Sequence, residues 1–269
     1  MNRKLGIVCE CIGANSPVQN LNLLKDVGFE CFFSDSHKIQ DVSAIKNQAV
    51  KLGLDYQFIH SPYSPINQMW LEGEGYLETI NAVKESLDSA KECAVSGVIL
   101  HVSSGWAPPP MCELGFERFD QIVEHAVKNN VFLAMENLRR PEYLSALLER
   151  YKNVAQVVFC YDCGHEHCFS PSVPIMDKFG KRIKYTHFHD NFGMCYDKNC
   201  DIHLLPFDGD NDFEKVMSKL DEFNYSGSIM LETFDKPHGH GGYENPLKGL
   251  DFLKEAFKRA KKLNSLSKK

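Results

Sequence analysis

The sequence contains no long apolar stretch, and none of its runs approaches the roughly 18 consecutive apolar residues that suggest a membrane span. The apolar run nearest the N-terminus, Leu5 to Cys9, is too short for the hydrophobic region of a secretion signal. Both absences predict that the protein works in the cytoplasm without a membrane partner. Its ten cysteines should then be free thiols, because disulfides are rare in a reducing cytoplasm.

The sequence also lacks an excess of basic charge. It has 30 Lys and Arg residues against 36 Asp and Glu residues, which gives a formal net charge of −6. Tight binding to a phosphate backbone normally needs clustered Lys and Arg side chains. The composition therefore argues against a nucleic-acid partner and favours small polar metabolites or cations as ligands.

A glycine-rich phosphate loop is missing after the first apolar strand. The residues there, Cys-Glu-Cys-Ile-Gly at positions 9–13, do not match such a loop, which argues against a nucleotide cofactor and against a doubly wound open sheet. What the sequence does contain is eight alternations of strand and helix patterns, about 33 residues per unit. Alternation of this kind predicts parallel strands with helical crossovers. We therefore predict an α/β fold, a single (β/α)8 TIM barrel that forms one domain over residues 1–269.

Four of the apolar strand patterns end in side chains that bind metals. Three end in a carboxylate and one in an imidazole, and a barrel brings the ends of its strands together around one axis. Any one of them could be a structural ion pair, but three clustered carboxylates repel one another unless a cation lies between them. This oxygen-rich set suits Mn²⁺ or Mg²⁺, and Zn²⁺ or Co²⁺ are also compatible with it. The four candidate metal ligands are Glu136, Asp162, His187 and Glu232.

A second set of polar residues lies at other strand ends or in the loops beyond them. One interpretation is that they hold a second or third metal ion, and another is that they orient a polyol substrate through hydrogen bonds. A third is that they are scattered loop residues with no shared role. Asp201 and His203 lie in the loop after the seventh strand, and for these two residues we favour contact with substrate or support of His187 over metal binding. The set consists of His60, His101, His165, Asp201 and His203.

The two tryptophans, Trp70 and Trp106, each lie in a loop that follows a metal-type strand end. Aromatic faces pack well against the C–H faces of sugars, so we predict that both lie near the mouth of the pocket. Ordinary packing within the loops is the alternative, because Trp is often buried.

Five short motifs resemble those of a known superfamily. They occur between the third and eighth predicted strands and so cover most of the chain. The superfamily is that of the xylose isomerase-like TIM barrels, which includes sugar and sugar-phosphate isomerases and epimerases, inosose dehydratases and isomerases, and endonuclease IV-type apurinic endonucleases. The motifs are Glu136-Asn137, Asp162-x-Gly164-His165, His187-x-His189-x-Asn191, Asp201-x-His203-x-x-Pro206-x-x-Gly209 and Leu231-Glu232-Thr233.

The resemblance implies roles for several residues. The four candidate metal ligands match the single metal site of the ketose epimerases, His165 matches a substrate-contacting histidine, and Glu142 matches a further substrate contact. The epimerases also carry an arginine shortly after the histidine of the seventh strand. This sequence has no arginine from Phe188 to Met194, which departs from the ketose-epimerase pattern.

The endonuclease branch implies a larger metal site. Enzymes of that type bind three zinc ions through nine ligands, and nine residues match them by type and order. A ligand set of this kind could also persist in an enzyme that acts on a small molecule. The nine are His60, His101, Glu136, Asp162, His165, His187, Asp201, His203 and Glu232.

These observations predict a metal-dependent isomerase or epimerase that acts on a sugar, a sugar phosphate or an inosose-type polyol. One of Glu136 and Glu232 would remove a proton α to a carbonyl and the other would return one, through an enediolate. His60, His101, His165, Glu142 and Trp106 would contact the substrate. The alternatives are an endonuclease IV-like zinc-cluster phosphodiesterase and a non-catalytic binder of metal or sugar. Whether the chain forms a homo-oligomer is left open by the sequence.

Overall fold

A computed structural model of the chain describes residues 3–194, 200–236 and 244–267. Within these residues, eight parallel strands form one sheet that closes on itself, so the predicted TIM barrel is confirmed. The strands are β1 (Leu5–Val8), β2 (Cys31–Ser34), β3 (Asp55–His60), β4 (Gly97–Leu100), β5 (Phe132–Glu136), β6 (Val157–Asp162), β7 (Ile183–His187) and β8 (Ile229–Leu231).

Helices cover the outside of the barrel. They connect successive strands, and in the described part of the chain none is both long and apolar enough to cross a bilayer. The helices are α1 (Pro17–Val27), α2 (Ile39–Leu52), α3 (Tyr76–Glu92), α4 (Glu113–Asn129), α5 (Pro141–Arg150), α6 (Cys163–Phe169), α7 (Ile175–Phe179), α8 (Phe213–Glu222) and α9 (Gly249–Ser265).

The barrel closes between β7 and β8 through the residue that follows β7. The backbone N–H of Phe188 donates to the carbonyl of Met230 at 2.8 Å, and its carbonyl accepts from Glu232 at 3.1 Å. This closure sets His187 and Glu232 beside one another at the carboxyl end of the barrel. Two candidate ligands that are 45 positions apart in the sequence are thereby brought together.

Local signals explain where several helices begin and end. Ser16 accepts a hydrogen bond from the backbone of Gln19 in a capping box, Pro17 occupies the first turn of α1, and Gly28 ends the helix with φ of 113°. The sequence also offers Asp41 as a cap for α2, but this prediction is wrong because the helix begins at Ile39. Asp41 lies instead in the first turn, where its charge favours the helix dipole.

The segment between β6 and β7 holds helices that the sequence pattern does not reveal. The helix α6 starts directly after the last residue of β6, and the Asp162 side chain caps it by accepting from the backbone N–H of His165 at 2.7 Å. This short helix of Cys, Gly and His residues has no apolar periodicity to mark it. Its cap fixes both Asp162 and His165, two of the candidate site residues.

Aromatic side chains fill the barrel beneath the strand ends. Phe33 stacks on Phe58 at 4.8 Å between ring centroids, and both rings are buried. Phe33 also stacks on the imidazole of His187 at 4.9 Å, and Phe58 lies 5.5 Å from it. The apolar interior therefore supports one of the candidate ligands from below and excludes water from that side.

Trp70 does not lie at the pocket mouth, so that prediction is wrong. Its side chain is 3% exposed, and its indole N–H donates to the carbonyl of Val102 at 3.2 Å. The loop after β3 folds into a 3₁₀ turn, Ile66–Trp70, which directs the ring toward α4. A Cβ at Gly115 would lie 2.2 Å from that ring, so the glycine makes the close approach possible.

This burial generates a stability prediction. We expect Trp70→Ala to lower the free energy of unfolding by about 3–5 kcal/mol, because it leaves a cavity between the barrel and α4. Trp106→Ala is the matched control, since Trp106 is only half-buried, and its cost should stay below about 2 kcal/mol. Urea unfolding followed by far-UV circular dichroism measures both. Equal losses for the two variants would contradict the assignment of Trp70 to the core.

Candidate active site

Polar side chains converge at the carboxyl end of the barrel because most of the strands end in, or are directly followed by, a polar residue. Glu136, Asp162 and His187 are the last residues of β5, β6 and β7. His60 is the last residue of β3, and Glu232 directly follows β8. The ends of the strands in a TIM barrel surround its axis, so residues from five strands face one small volume.

The central group is formed by the four candidate metal ligands. The Nδ1 atom of His187 lies 2.9 Å from Glu136 Oε1, 3.3 Å from Glu232 Oε2 and 3.7 Å from Asp162 Oδ2. One ligand-type atom from each of the four residues lies within 4.8 Å of the others. Three of the side chains are fully buried and Glu232 is 6% exposed, so water reaches this group mainly beside Glu232.

A second group shares Glu136 with the first. The Nε2 atoms of His60 and His101 lie 3.4 Å and 3.0 Å from Glu136 Oε2, while the Oε1 atom faces the central group. The two oxygens of one carboxylate therefore point into adjoining sites. Such a carboxylate can bridge two cations or accept hydrogen bonds from two imidazoles.

The third group contains His165, His189, Asp201 and His203. The two oxygens of Asp201 lie 3.3 Å from His165 Nε2 and 3.1 Å from His203 Nε2. His189 stacks on His203 at 4.0 Å, and its Nε2 atom lies 3.1 Å from Asp162 Oδ1. The structure thus brings all nine of the residues that match the endonuclease ligands into three adjoining groups.

His189 was absent from the candidate residues although it belongs to this third group. It is fully buried, and a Cβ at Gly164 would lie 2.1 Å from its ring, so only glycine fits there. The signal was present in the sequence, because His189 follows the β7 ligand by two positions. Alternate residues near a strand end can face the same side of the sheet.

The loop that carries Asp201 and His203 is held by a neighbouring carboxylate. Asp190 forms an antiparallel bridge with Leu204, and its side chain accepts four backbone hydrogen bonds. Because this carboxylate is buried, those hydrogen bonds fix the course of the loop. The donors are the N–H groups of Asn191 at 2.9 Å, Phe207 at 2.9 Å, Gly209 at 2.9 Å and Asn211 at 3.1 Å.

Two further carboxylates at the strand ends were missed. Glu10 and Asp35 follow β1 and β2, and the same reading of strand ends would have found them. Burial raises the pKa of Glu10 to about 8, and the nearby charge of Asp35 acts in the same direction. The Asp35 charge also raises the pKa of His60, which places it close to the second group.

The remaining predicted contacts lie farther out. Glu142, in the first turn of α5, accepts a hydrogen bond from Arg140 Nε at 2.6 Å and is partly exposed. No contact between Glu142 and the three groups occurs among the described residues. Trp106 packs edge-on against Phe169, which in turn stacks on His165 at 5.2 Å. Phe169 therefore separates Trp106 from the groups at the barrel axis.

The carboxylates of the central group are held in their charged form by the histidines around them. Burial alone would raise the pKa of Glu136, but the charge of His187 and the hydrogen bond from His101 hold it well below its ordinary value. Burial opposes ionisation of Glu232 as well, yet the charges of His187 and His203 lower its pKa to about 2. Both glutamates are therefore ionised at neutral pH.

The pKa values of two histidines shift in the opposite direction and are raised. Burial lowers the pKa of His60, but the hydrogen bond to Glu136 and the charges of Glu136, Glu232 and Asp35 together raise it to about 9. Asp201 raises the pKa of His203 to about 9 in the same way. Without a cation, the two imidazoles are thus protonated at neutral pH and supply the positive charge that the carboxylates require.

The central group fits a divalent cation. Asp162 Oδ2 is buried and has no hydrogen-bond partner in the described ranges, although it points toward His187. A buried oxygen in that state is costly unless something binds it. Three carboxylates and one imidazole nitrogen are the donor types that Mn²⁺ and Mg²⁺ accept, and Zn²⁺ and Co²⁺ are also compatible.

The fold agrees with the relationships of the chain. The sequence pattern of the xylose isomerase-like TIM-barrel family matches residues 21–258. The chain belongs to this family. Sugar epimerases are among the solved structures that share its fold.

Two of these solved structures show how closely the fold is kept. The D-allulose 3-epimerase of Methylomonas sp. superposes with a TM-score of 0.75 at 12% identity, over 97% of each chain. The 3-keto-D-glucoside 4-epimerase YcjR of E. coli superposes with a TM-score of 0.75 at 14% identity, over 97% of this chain and 99% of that chain. At these identities the likeness shows the fold alone.

Sequence relatives match over shorter regions. The uncharacterized protein y4fM of Sinorhizobium fredii is 31% identical over 168 residues, which are 57% of this chain and 52% of that protein. An inosose dehydratase of Clostridium botulinum is 30% identical over 112 residues, which are 37% of this chain and 38% of the enzyme. The chain therefore spans about half the length of the first relative and less of the second.

The raised pKa values generate a prediction for the metal-free protein. Stability contributed by His60 and His203 is present below their ordinary pKa of 6.5 and is lost as the pH rises through about 9. Glu10 acts in the same direction between about 4.5 and 8. We therefore expect the Tm of EDTA-treated protein to fall from pH 6.5 to pH 9 in differential scanning fluorimetry.

Manganese-loaded protein is the matched control for this experiment. The charge of the bound cation takes the place of the imidazolium charges, so fewer protons remain to be lost and the Tm should change less over the same pH range. Metal affinity in calorimetric titrations should rise with pH, and binding should release protons into the buffer. A metal-free Tm that does not change between pH 6.5 and pH 9 would show that the imidazolium cations do not stabilise the site.

Proposed function

We propose that this protein is a divalent-metal-dependent isomerase or epimerase that acts on a sugar or polyol by removing a proton α to a carbonyl. The observation that carries the proposal is the placement of two glutamates about one imidazole. Glu136 and Glu232 come from β5 and β8, and each has an oxygen within 3.3 Å of His187 Nδ1. Either ionised carboxylate can take up the substrate proton as the base, and the glutamate protonated in that step is then the acid that can return it.

The four residues of the central group would hold the cation. When bound there, a divalent cation supplies Lewis acidity that polarises a carbonyl and its neighbouring hydroxyl. The surrounding protein contributes exclusion of water, because Phe33 and Phe58 close the site from below. A dry site strengthens the electrostatic stabilisation of an enediolate.

The two glutamates differ in how freely they can move a proton. Both oxygens of Glu136 face histidines, and the side chain is fully buried. Glu232 is 6% exposed and lies near His187 and His203 through one oxygen, Oε2. Within the proposed reaction, Glu232 is the residue better placed to reach a substrate from the open end of the barrel.

The relationship to inosose dehydratase supports a variant of the same chemistry. Removal of the α proton can be followed by loss of hydroxide from the adjacent carbon, which leaves as water once it takes up a proton. The first step of a dehydration is therefore the same as that of an isomerisation. The protonated glutamate that results from the first step is a proton donor for either outcome.

Hydrolysis of a phosphodiester at a zinc cluster is the second candidate. It is favoured by the arrangement of nine matching residues in three adjoining groups. Against it stands the net charge of −6, which disfavours the binding of a polyanion. In the proposed isomerase, Asp201 and His203 contact the substrate or support His187.

The number of bound cations separates the two candidates. Elemental analysis of untagged protein should give one cation per chain for the proton-transfer reaction. A zinc-soaked crystal measured at the zinc edge should show one anomalous peak, at Glu136, Asp162, His187 and Glu232. A further peak shared by Asp201 and His203 would favour the zinc-cluster phosphodiesterase instead.

Substitution of Glu232 tests the role of the base. We expect Glu232→Gln to lower kcat by roughly 10²–10⁴-fold, because the amide cannot accept the proton, and to weaken metal binding by removing a ligand charge. Exchange of the substrate C–H into deuterated water, followed by NMR over a panel of ketoses and inososes, measures the proton transfer. Activity is compared at saturating metal so that the loss of affinity does not hide the chemical effect.

Glu117→Gln is the matched control. Glu117 makes the same chemical change possible on the exposed face of α4, on the outside of the barrel. We expect this variant to keep wild-type exchange and wild-type metal content. Full exchange activity in Glu232→Gln with bound metal would remove Glu232 from the reaction.

A further inference from the structure

Tyr63 presents an exposed aromatic ring beside the buried groups. Its side chain is 46% exposed, and it stacks on the imidazole of His101 with 4.4 Å between ring centroids and an interplanar angle of 21°. It also meets His60 edge-on at 6.2 Å. One face of the Tyr63 ring thus lies against the second group, and about half of the residue remains accessible.

The loop that carries Tyr63 is held firmly to its neighbours. Ser61 donates from Oγ to the carbonyl of Ile99 at 2.7 Å. Asn67 and Ser104 exchange two hydrogen bonds of 2.9 Å, which join this loop to the one after β4. The exposed ring is therefore fixed by anchors on both sides, and little entropy is lost when a ligand packs against it.

The surroundings of the ring are strongly acidic. Burial of part of the side chain raises the pKa of Tyr63, and the charges of Glu232, Asp201, Asp35 and Glu136 raise it further. In metal-loaded protein a divalent cation replaces the imidazolium charges of the site and adds two positive charges against these four carboxylates. The space beside Tyr63 consequently stays negative, which disfavours a phosphate dianion and suits hydroxyl groups that donate hydrogen bonds.

A second aromatic ring near the groups offers no comparable face. Phe169 stacks on His165, but only 3% of it is exposed. Arg139 lies 3.9 Å above that ring, and Trp106 packs against its edge. Phe169 thus supports His165 as part of the wall, whereas Tyr63 has a surface that a ligand can cover.

We infer that Tyr63 is the platform on which the substrate lies, and that the substrate is an uncharged cyclic polyol or ring-form sugar rather than its phosphate ester. The C–H face of such a ring packs against an aromatic face, and its hydroxyls reach the carboxylates beyond it. This inference rests on the proposed function for the reaction that follows binding. Binding itself can be measured separately.

The test is calorimetric binding to metal-loaded, full-length protein with three probes: myo-inositol, myo-inositol 1-phosphate and open-chain glucitol. Wild-type protein should bind myo-inositol more tightly than the other two. Tyr63→Phe keeps the ring and should stay within about twofold of wild type. Tyr63→Leu keeps apolar bulk without an aromatic face and should weaken myo-inositol binding by roughly three- to tenfold.

Two controls isolate the platform from other effects. Val127→Ala removes an exposed apolar side chain at the C-terminal end of α4, which lies at the opposite end of the barrel, and should bind all probes as wild type does. Metal content is measured for each variant, because Tyr63 touches His101. Loss of metal in Tyr63→Leu would assign the ring a role in the metal site and overturn its role as a platform.

The outcomes distinguish this inference from the proposed function. Unchanged myo-inositol binding in Tyr63→Leu overturns the platform, and tighter binding of the phosphate ester, or no binding of any probe, overturns the substrate class. Binding that depends on Tyr63 without C–H exchange on any ketose or inosose would retain the platform and remove the isomerase. C–H exchange that is unchanged by Tyr63→Leu would retain the isomerase and remove the platform.

Discussion

Repulsion among buried carboxylates is the constraint on which the site depends. Glu136, Asp162 and Glu232 approach one another at the barrel axis with almost no access to water. Like charges in such a place can persist only beside compensating positive charge. In the protein alone, protonated histidines provide it, and a divalent cation can replace them. Metal binding and histidine deprotonation are thus two sides of one equilibrium, which links the occupancy of the site to pH.

The backbone around the site is arranged so that these charges cannot move apart. Asp162 is at once a strand end, a member of the central group and the cap of α6, so a shift of its side chain would also release the helix. Asp190 fixes the loop of the third group through four backbone hydrogen bonds. Gly209 permits this loop to pass close to Asn191, since a Cβ there would lie 2.3 Å from the Asn191 carbonyl oxygen. The positions of the candidate metal-binding side chains are therefore fixed before a cation or a substrate binds, which lowers the entropy cost of binding.

The sequence was sufficient to predict the barrel and the residues at its strand ends. The alternation of apolar strands with helices indicates the fold. The acid or histidine at the end of such a strand indicates the candidate site, because a TIM barrel places all strand ends together. Trp70 could not be placed in this way. Its burial depends on Gly115, which lies 45 positions away and leaves room for the indole ring. The helix α6 was missed for a similar reason, since its start is fixed by the Asp162 cap rather than by a periodic pattern.

Apart from His189, the site residues absent from the sequence-based prediction share a position rather than a chemical type. Glu10 and Asp35 follow β1 and β2, and Tyr63 follows β3, so all three lie on the N-terminal half of the barrel. The residues of the central group come from β5 to β8 on the other half. The proposed metal ligands and the proposed substrate platform therefore occupy opposite parts of one opening. Because β8 pairs with β1, Glu232 lies where the two halves meet, and it is the ligand with access both to His187 and to a substrate held against Tyr63. A division of this kind lets the metal-binding half stay rigid while the other half varies with the substrate.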